Sequence, residues 1–166
     1  TGIADAEDEL EILRMLLAEL EIPISSQLLV FSRTSLQRDR ISPKNPRAIY
    51  YSDTYYVGWV PGGLIEITTI DPQPGPVFYA IDPRKPARAS GLKFQRESDC
   101  LRCHGGHVVR GIPGVFARSG FPDSTGEPIF KIGSTLVDYR TPFEERWGAW
   151  YVTGEHGRTQ HRGNII

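Results

Sequence analysis

Methionine is almost missing from this chain of 166 residues: there is one, Met15, and none follows it. A thioether donor in the later part of the chain is therefore excluded. Cysteine is nearly as scarce, with Cys100 and Cys103 the only two. That is too few for a disulfide-stapled scaffold, and a chain of this length can bury a core without staples. Charge of one sign is lacking too: 19 basic against 20 acidic side chains leave a net charge of −1. Nucleic acid or an anionic membrane surface would call for a basic excess that is not there. No apolar run comes near the roughly 20 residues that cross a bilayer. Repeats, low-complexity tracts and a convincing linker are also absent. The chain starts at Thr1, which suits a processed or trimmed protein; a removed signal peptide would leave no trace in the sequence.

What is present divides into two patterns. From Ala4 to Leu20, ADAEDELEILRMLLAEL places Leu10, Leu13, Leu16, Leu17 and Leu20 at helical spacing. Acidic residues come early, Asp5 suits the N-cap and Pro23 the stop, so an amphipathic leading helix is predicted within residues 1–22. Met15 reads as a packing residue inside it. The acidic face at Glu7, Asp8 and Glu11 would solubilise the helix or guide a basic partner.

After Pro23 the period changes. QLLVFSRTS, RAIYYSD, TYYVGWV, LIEITTID and PVFYAID are short β-branched and aromatic runs, separated by SPKNP, PGG and PQPGP. Connections this short allow antiparallel pairing but no parallel crossover. Residues 83–99 read as a polar surface connection. GVFARS, IFKIGSTLV and WGAWYVTG follow as further strands, with FPDSTGEP as a turn. The expected fold is α+β: one domain over residues 1–166, a leading helix and a mainly antiparallel, β-rich core from 23 to 166, with a long loop carrying the cysteines.

Both cysteines lie in DCLRCHGGH, residues 99–107, beside two of the four histidines. Two thiols three apart fit a dithiol, a disulfide or a ligand pair. The next residue discriminates: Cys100-Leu101-Arg102-Cys103-His104 is C-x-x-C-H, the pattern of covalent haem c attachment, in which two thiols bind the porphyrin and the imidazole ligates its iron. Gly105 and Gly106 would let the chain turn away close to the ring. Structural zinc would need a second ligand knuckle that the chain lacks. A thioredoxin-like dithiol would need an α/β setting and no histidine. Haem c attachment also implies an extracytoplasmic, periplasmic location.

The order of helix, antiparallel sheet and late C-x-x-C-H resembles the haem-bearing PAS-like domains of bacterial extracytoplasmic proteins, some of them sensors. From LLVFSRTSLQRDR through WGAWYVTGEHGRTQHRGN the chain resembles a family of uncharacterised bacterial secreted monohaem c-type cytochromes, with C-x-x-C-H followed by Trp-Tyr-Val-Thr-Gly-x-His-Gly. The resemblance implies a monohaem cytochrome domain with no assigned reaction. It also implies a methionine after the last histidine, where this chain has Arg162.

For the sixth iron position, His156 and His161 in TGEHGRTQHRGN are the candidates. His156 is preferred because a strand precedes it, whereas His161 lies nearer a terminus expected to fray. His107, three residues from His104, is badly placed to reach the opposite face. Arg102, Arg110 and Arg118 are candidates for pairing with haem propionates. Trp147, Trp150, Tyr151 and Phe116 suit either porphyrin packing or an ordinary core. Together these point to single-electron transfer with redox partner proteins, alone or within a larger membrane complex. A haem-based gas or redox sensor and a haem peroxidase are the alternatives.

Overall fold

A computed structural model describes residues 8–73, 75–85 and 94–166 of the chain. Within them run α1 (Glu9–Glu19), β1 (Leu28–Val30), β2 (Arg47–Tyr51), β3 (Tyr55–Trp59), β4 (Ile65–Asp71), β5 (Gly75–Ile81), β6 (Gln95–Arg96), α2 (Leu101–His104), β7 (Ala117–Gly120), β8 (Ser134–Val137) and β9 (Trp150–Tyr151). The fold is thus mainly antiparallel β-sheet with two short α-helices among the described residues. It divides into two compact units: residues up to Gln27 with Ala48–Gly114, and Leu28–Arg47 with Val115–Ile166. The second unit therefore takes its first segment from between the leading helix and the sheet of the first.

In the first unit, α1 begins at Asp8, whose carboxylate accepts the Glu11 N–H at 2.7 Å. Asp8 thus holds the cap position expected at Asp5, which lies outside the described residues, as do Ala4 and Glu7. The buried stripe is Ile12, Leu13, Leu16 and Leu17, while Leu10 is exposed and Met15 only half-buried. The helix stops before Pro23 is reached. The N–H of Ile22 bonds the Leu17 carbonyl at 2.8 Å and that of Glu21 bonds Ala18 at 3.1 Å, a Schellman closure. Glu21 closes it with φ +54, a conformation that disfavours side chains with a Cβ by about 1–2 kcal/mol. Glycine there would relieve that strain at a smaller entropic cost. Glu21→Gly is therefore expected to raise stability by about 0.5–1 kcal/mol in urea denaturation, with an unchanged slope.

Strands β2, β3, β4 and β5 form an antiparallel meander, and β6 adds outside β5 through Tyr79↔Arg96 and Ala80↔Gln95. The PGG turn between β3 and β4 is type II: Gly63 N–H bonds the Val60 carbonyl at 2.9 Å, with Pro61 second and Gly62 third at φ +75. The Glu9 carboxylate accepts the Gly62 N–H at 2.9 and 3.0 Å, which ties the helix start to this turn. Val57, Ile65, Ile67, Val77 and Ile81 lie on one sheet face, all buried, as strand alternation requires. Just beyond β5, Arg84 clamps Asp82; its side-chain hydrogen bond holds the Asp82 carboxyl below the usual range.

In the second unit, β1 pairs with β9 (Leu29↔Tyr151, Val30↔Trp150), and β7 pairs with β8. Most of the runs that read as strands here are shorter than their sequences suggested. Phe130–Ile132 in IFKIGSTLV is a 3-10 turn, and in WGAWYVTG only Trp150 and Tyr151 are strand. The reason lies at Trp147 and Ala149, whose φ values of +71 and +70 no strand can contain. FPDSTGEP is the expected turn, organised by Asp123. The Thr125 hydroxyl and N–H bond its carboxylate and hold it below the usual carboxylate range. Across this unit Arg38 pairs with Glu127 at 2.5 Å.

Candidate functional site

The cysteine motif is a helical turn, not the loop expected of it. Strand β6 leads into it, and Glu97 N–H bonds the Phe78 carbonyl on β5 at 2.9 Å. The turn is closed by Leu101 N–H to Ser98 (3.0 Å), Arg102 to Asp99 (3.1 Å) and His104 to Cys100 (2.9 Å). Asp99 acts there through its backbone carbonyl. Cys100 stands at the N-cap in αR conformation, so both thiols and the imidazole project from one continuous turn. Residues three apart on such a turn share a face, about 5–6 Å between Cβ atoms. Cys100 is half-buried, Cys103 exposed, and no disulfide joins them.

A clamp holds His104. Its Nδ1 lies 2.9 Å from the Gly114 carbonyl oxygen, and the Gly114 N–H donates to the His104 carbonyl, also at 2.9 Å. A carbonyl only accepts, so Nδ1 carries the proton and the ring's lone pair sits on Nε2. The ring packs on Phe78 with centroids 5.0 Å apart and planes at 44°. The nine residues closed by the clamp are bonded among themselves, with Arg110 N–H to His107 at 2.9 Å and Gly111 N–H to Gly106 at 3.0 Å. Arg110 and Gly111 both take positive φ, +56 and +74. Of the two glycines after the histidine, Gly106 has no room for a side chain: a Cβ would lie 2.8 Å from the Arg102 carbonyl oxygen.

The first unit thus gathers Cys100, Arg102, Cys103, His104, His107 and Arg110, with Arg102, His107 and Arg110 exposed. Three large apolar side chains near the motif in sequence are exposed as well: Phe94 at 54%, Leu101 at 39% and Ile112 at 74%. The second unit holds Arg118, His156 and His161. Arg118 is bonded to Ser134 Oγ at 2.8 Å and lies over Phe130. The two histidines pack edge to face, with centroids 4.5 Å apart.

Their protonation differs. His156 is exposed and its Nδ1 donates to the Thr159 carbonyl at 3.0 Å, which leaves the lone pair on Nε2. His161 accepts the Gly163 N–H on Nδ1 at 3.0 Å, so its proton sits on Nε2, a buried atom with no hydrogen-bond partner among the described residues. Beyond His161 the chain is hydrogen-bonded back onto the second unit. Asn164 exchanges hydrogen bonds with Val152 and donates its N–H to the Trp150 carbonyl, and Arg162 N–H bonds Arg146. Trp150 and Tyr151 are engaged in the unit's own structure: the indole N–H bonds the Arg118 carbonyl at 2.9 Å, and the phenol bonds Pro43 at 2.7 Å.

The donor set fits haem c: two thiols on one turn and an adjacent imidazole whose Nε2 holds the lone pair. Among the described residues no three His, Cys, Asp or Glu side chains are grouped as a metal site. No described helix is long and apolar enough to cross a membrane. No family model matches the chain, and no curated protein or solved structure matches it significantly. Sequence reasoning missed Phe78 and Gly114. Phe78 reads as an ordinary strand aromatic, and a backbone carbonyl has no sequence signal.

Proposed function

We propose that the chain is an extracytoplasmic monohaem c-type cytochrome that passes single electrons between redox partner proteins, by itself or within a membrane-associated assembly. One observation carries the reading: the His104 imidazole follows two thiols on a single helical turn and is fixed by Gly114 as the Nδ1–H tautomer. When bound, haem c supplies one-electron iron chemistry. Everything else falls to the protein. Cys100 and Cys103 would anchor the porphyrin, and His104 Nε2 would bind its iron. The Gly114 carbonyl, by accepting Nδ1–H, holds the ring's orientation and increases its basicity. Arg102 and Arg110, both exposed near the motif, suit propionate carboxylates, and Phe94, Leu101 and Ile112 offer apolar surface to a porphyrin. A PAS-like arrangement is part of the proposal. A leading helix, an antiparallel sheet and a cofactor-bearing segment leaving its outer strand follow in that order.

The test is expression with a cytochrome c maturation system and an export signal, followed by intact-mass analysis and visible spectroscopy. Mass increased by one covalent porphyrin, with a low-spin reduced spectrum indifferent to carbon monoxide, is the expected result. A chain with both thiols unmodified, or one that carries zinc, overturns the reading. Covalent haem that binds carbon monoxide at once would instead indicate sensing or catalysis.

A further inference from the structure

The cysteine motif is connected to the sheet from both sides by one residue. Phe78, in the middle of β5, is 6% exposed and lies opposite Thr68 of β4. Its carbonyl accepts the Glu97 N–H, three residues before Cys100, at 2.9 Å. Its ring contacts the His104 ring, the last residue of the motif, at 5.0 Å. At the start of the same strand, a Cβ on Gly75 would lie 4.0 Å from the Pro113 carbonyl oxygen, which places the end of the clamped loop against β5 too. The motif therefore lies along one strand, with Phe78 at its middle.

The consequence concerns the imidazole's freedom. The Gly114 carbonyl fixes one point of the ring, Nδ1, but rotation about the Cβ–Cγ bond within hydrogen-bonding tolerance remains. A bulky aromatic packed at 44° limits that rotation, because the tilted contact is lost when the plane turns. An aliphatic side chain of similar volume fills the space without dictating a plane.

We infer that Phe78 is the positioning residue of the site: its ring sets the plane in which His104 presents Nε2. This inference rests on the reading of His104 as the iron ligand for its functional meaning, but the positioning itself belongs to the protein alone and is measurable without cofactor.

The test compares Phe78→Leu, Phe78→Tyr and Ile81→Val. Ile81 is a buried residue of the same strand on the opposite face, so Ile81→Val controls for lost core packing. In the cofactor-free protein, nitrogen-15 spectra of the His104 ring above its titration range should show one Nδ1–H tautomer in wild type, Phe78→Tyr and Ile81→Val. Phe78→Leu should lose a measurable share of that tautomer and show averaged ring signals. In haem-loaded protein, Phe78→Leu should shift the reduction potential and the electron paramagnetic resonance anisotropy beyond the Ile81→Val control, and Phe78→Tyr should restore both. A Phe78→Leu ring signature identical to that of Ile81→Val overturns the inference. Should no haem attach, the function proposed above fails while the nitrogen-15 comparison still decides the role of Phe78.

Discussion

Gly148→Ala is expected to cost the second unit more than about 3 kcal/mol. A Cβ at 148 would be driven into the Gly120 carbonyl oxygen, and would also lie 2.7 Å from the Gly120 nitrogen and 2.9 Å from Ser119 Oγ. These are not flexible side-chain ends that can swing away. Ser119 is fully buried and its hydroxyl accepts the Gly148 N–H at 2.9 Å, while the Gly120 N–H reaches back to the Gly148 carbonyl at 3.3 Å. On either side, Trp147 and Ala149 are held at positive φ, each at a cost of about 1–2 kcal/mol. The close approach of residue 148 to β7 is one of the contacts that offsets this strain. Separating the two backbones to admit a methyl would remove those hydrogen bonds and leave the strain in place. Urea denaturation followed by the fluorescence of Trp147 and Trp150 measures the loss. The comparison is Gly154→Ala: Gly154 has φ +92 but nothing within 4 Å of a new Cβ, so only about 1–2 kcal/mol of backbone strain applies. Equal losses for the two variants would refute the steric account.

His104→Ala is expected to have the largest functional effect. It removes the proposed axial nitrogen while leaving Cys100 and Cys103 in place. Covalent haem should still be found by intact mass, but the low-spin reduced spectrum should disappear and carbon monoxide should bind at once. The backbone half of the clamp, Gly114 N–H to the residue 104 carbonyl, persists in the variant, so the turn should keep its shape. The unpaired Gly114 carbonyl and the space left beside Phe78 should lower stability by about 1–3 kcal/mol. An unchanged spectrum would show that the iron's nitrogen comes from elsewhere and would sink the assignment of His104. These two readings of one sample, mass and spectrum, separate attachment from ligation.

The legibility of the fold follows the range of the interactions involved. Strands β2 to β5 and the PGG turn were readable because alternation and turn chemistry act over two to four residues. Helix α1 was readable from its leucines, but its start was not. Several acidic residues precede the leucines, and only the hydrogen bond from Glu11 N–H selects Asp8 as the cap. Strand β6 is two exposed residues, Gln95 and Arg96, whose side chains give no strand signal; pairing with Tyr79 and Ala80 alone makes them one. The shortened strand at Trp150 shows the reverse case. WGAWYVTG has strand-forming side chains, yet the buried Ser119 hydroxyl and the Gly120 backbone hold residues 147–149 in a conformation that local propensity disfavours.

The candidate site divides along the same line. Which atoms can react is written in DCLRCHGGH: two thiols and an imidazole at a spacing that covalent chemistry reads directly. Which nitrogen of His104 holds the proton, and in which plane the ring stands, depends on Gly114 and Phe78, 10 and 26 positions away in numbering. The same holds for His156 and His161, equivalent as letters but opposite in tautomer because one faces a carbonyl and the other an amide N–H. Chemical identity is a property of a residue and its close neighbours along the chain. Orientation and protonation come from partners that meet only when the backbone closes on itself, since a hydrogen bond or a ring contact requires approach in space and leaves no mark on composition or period.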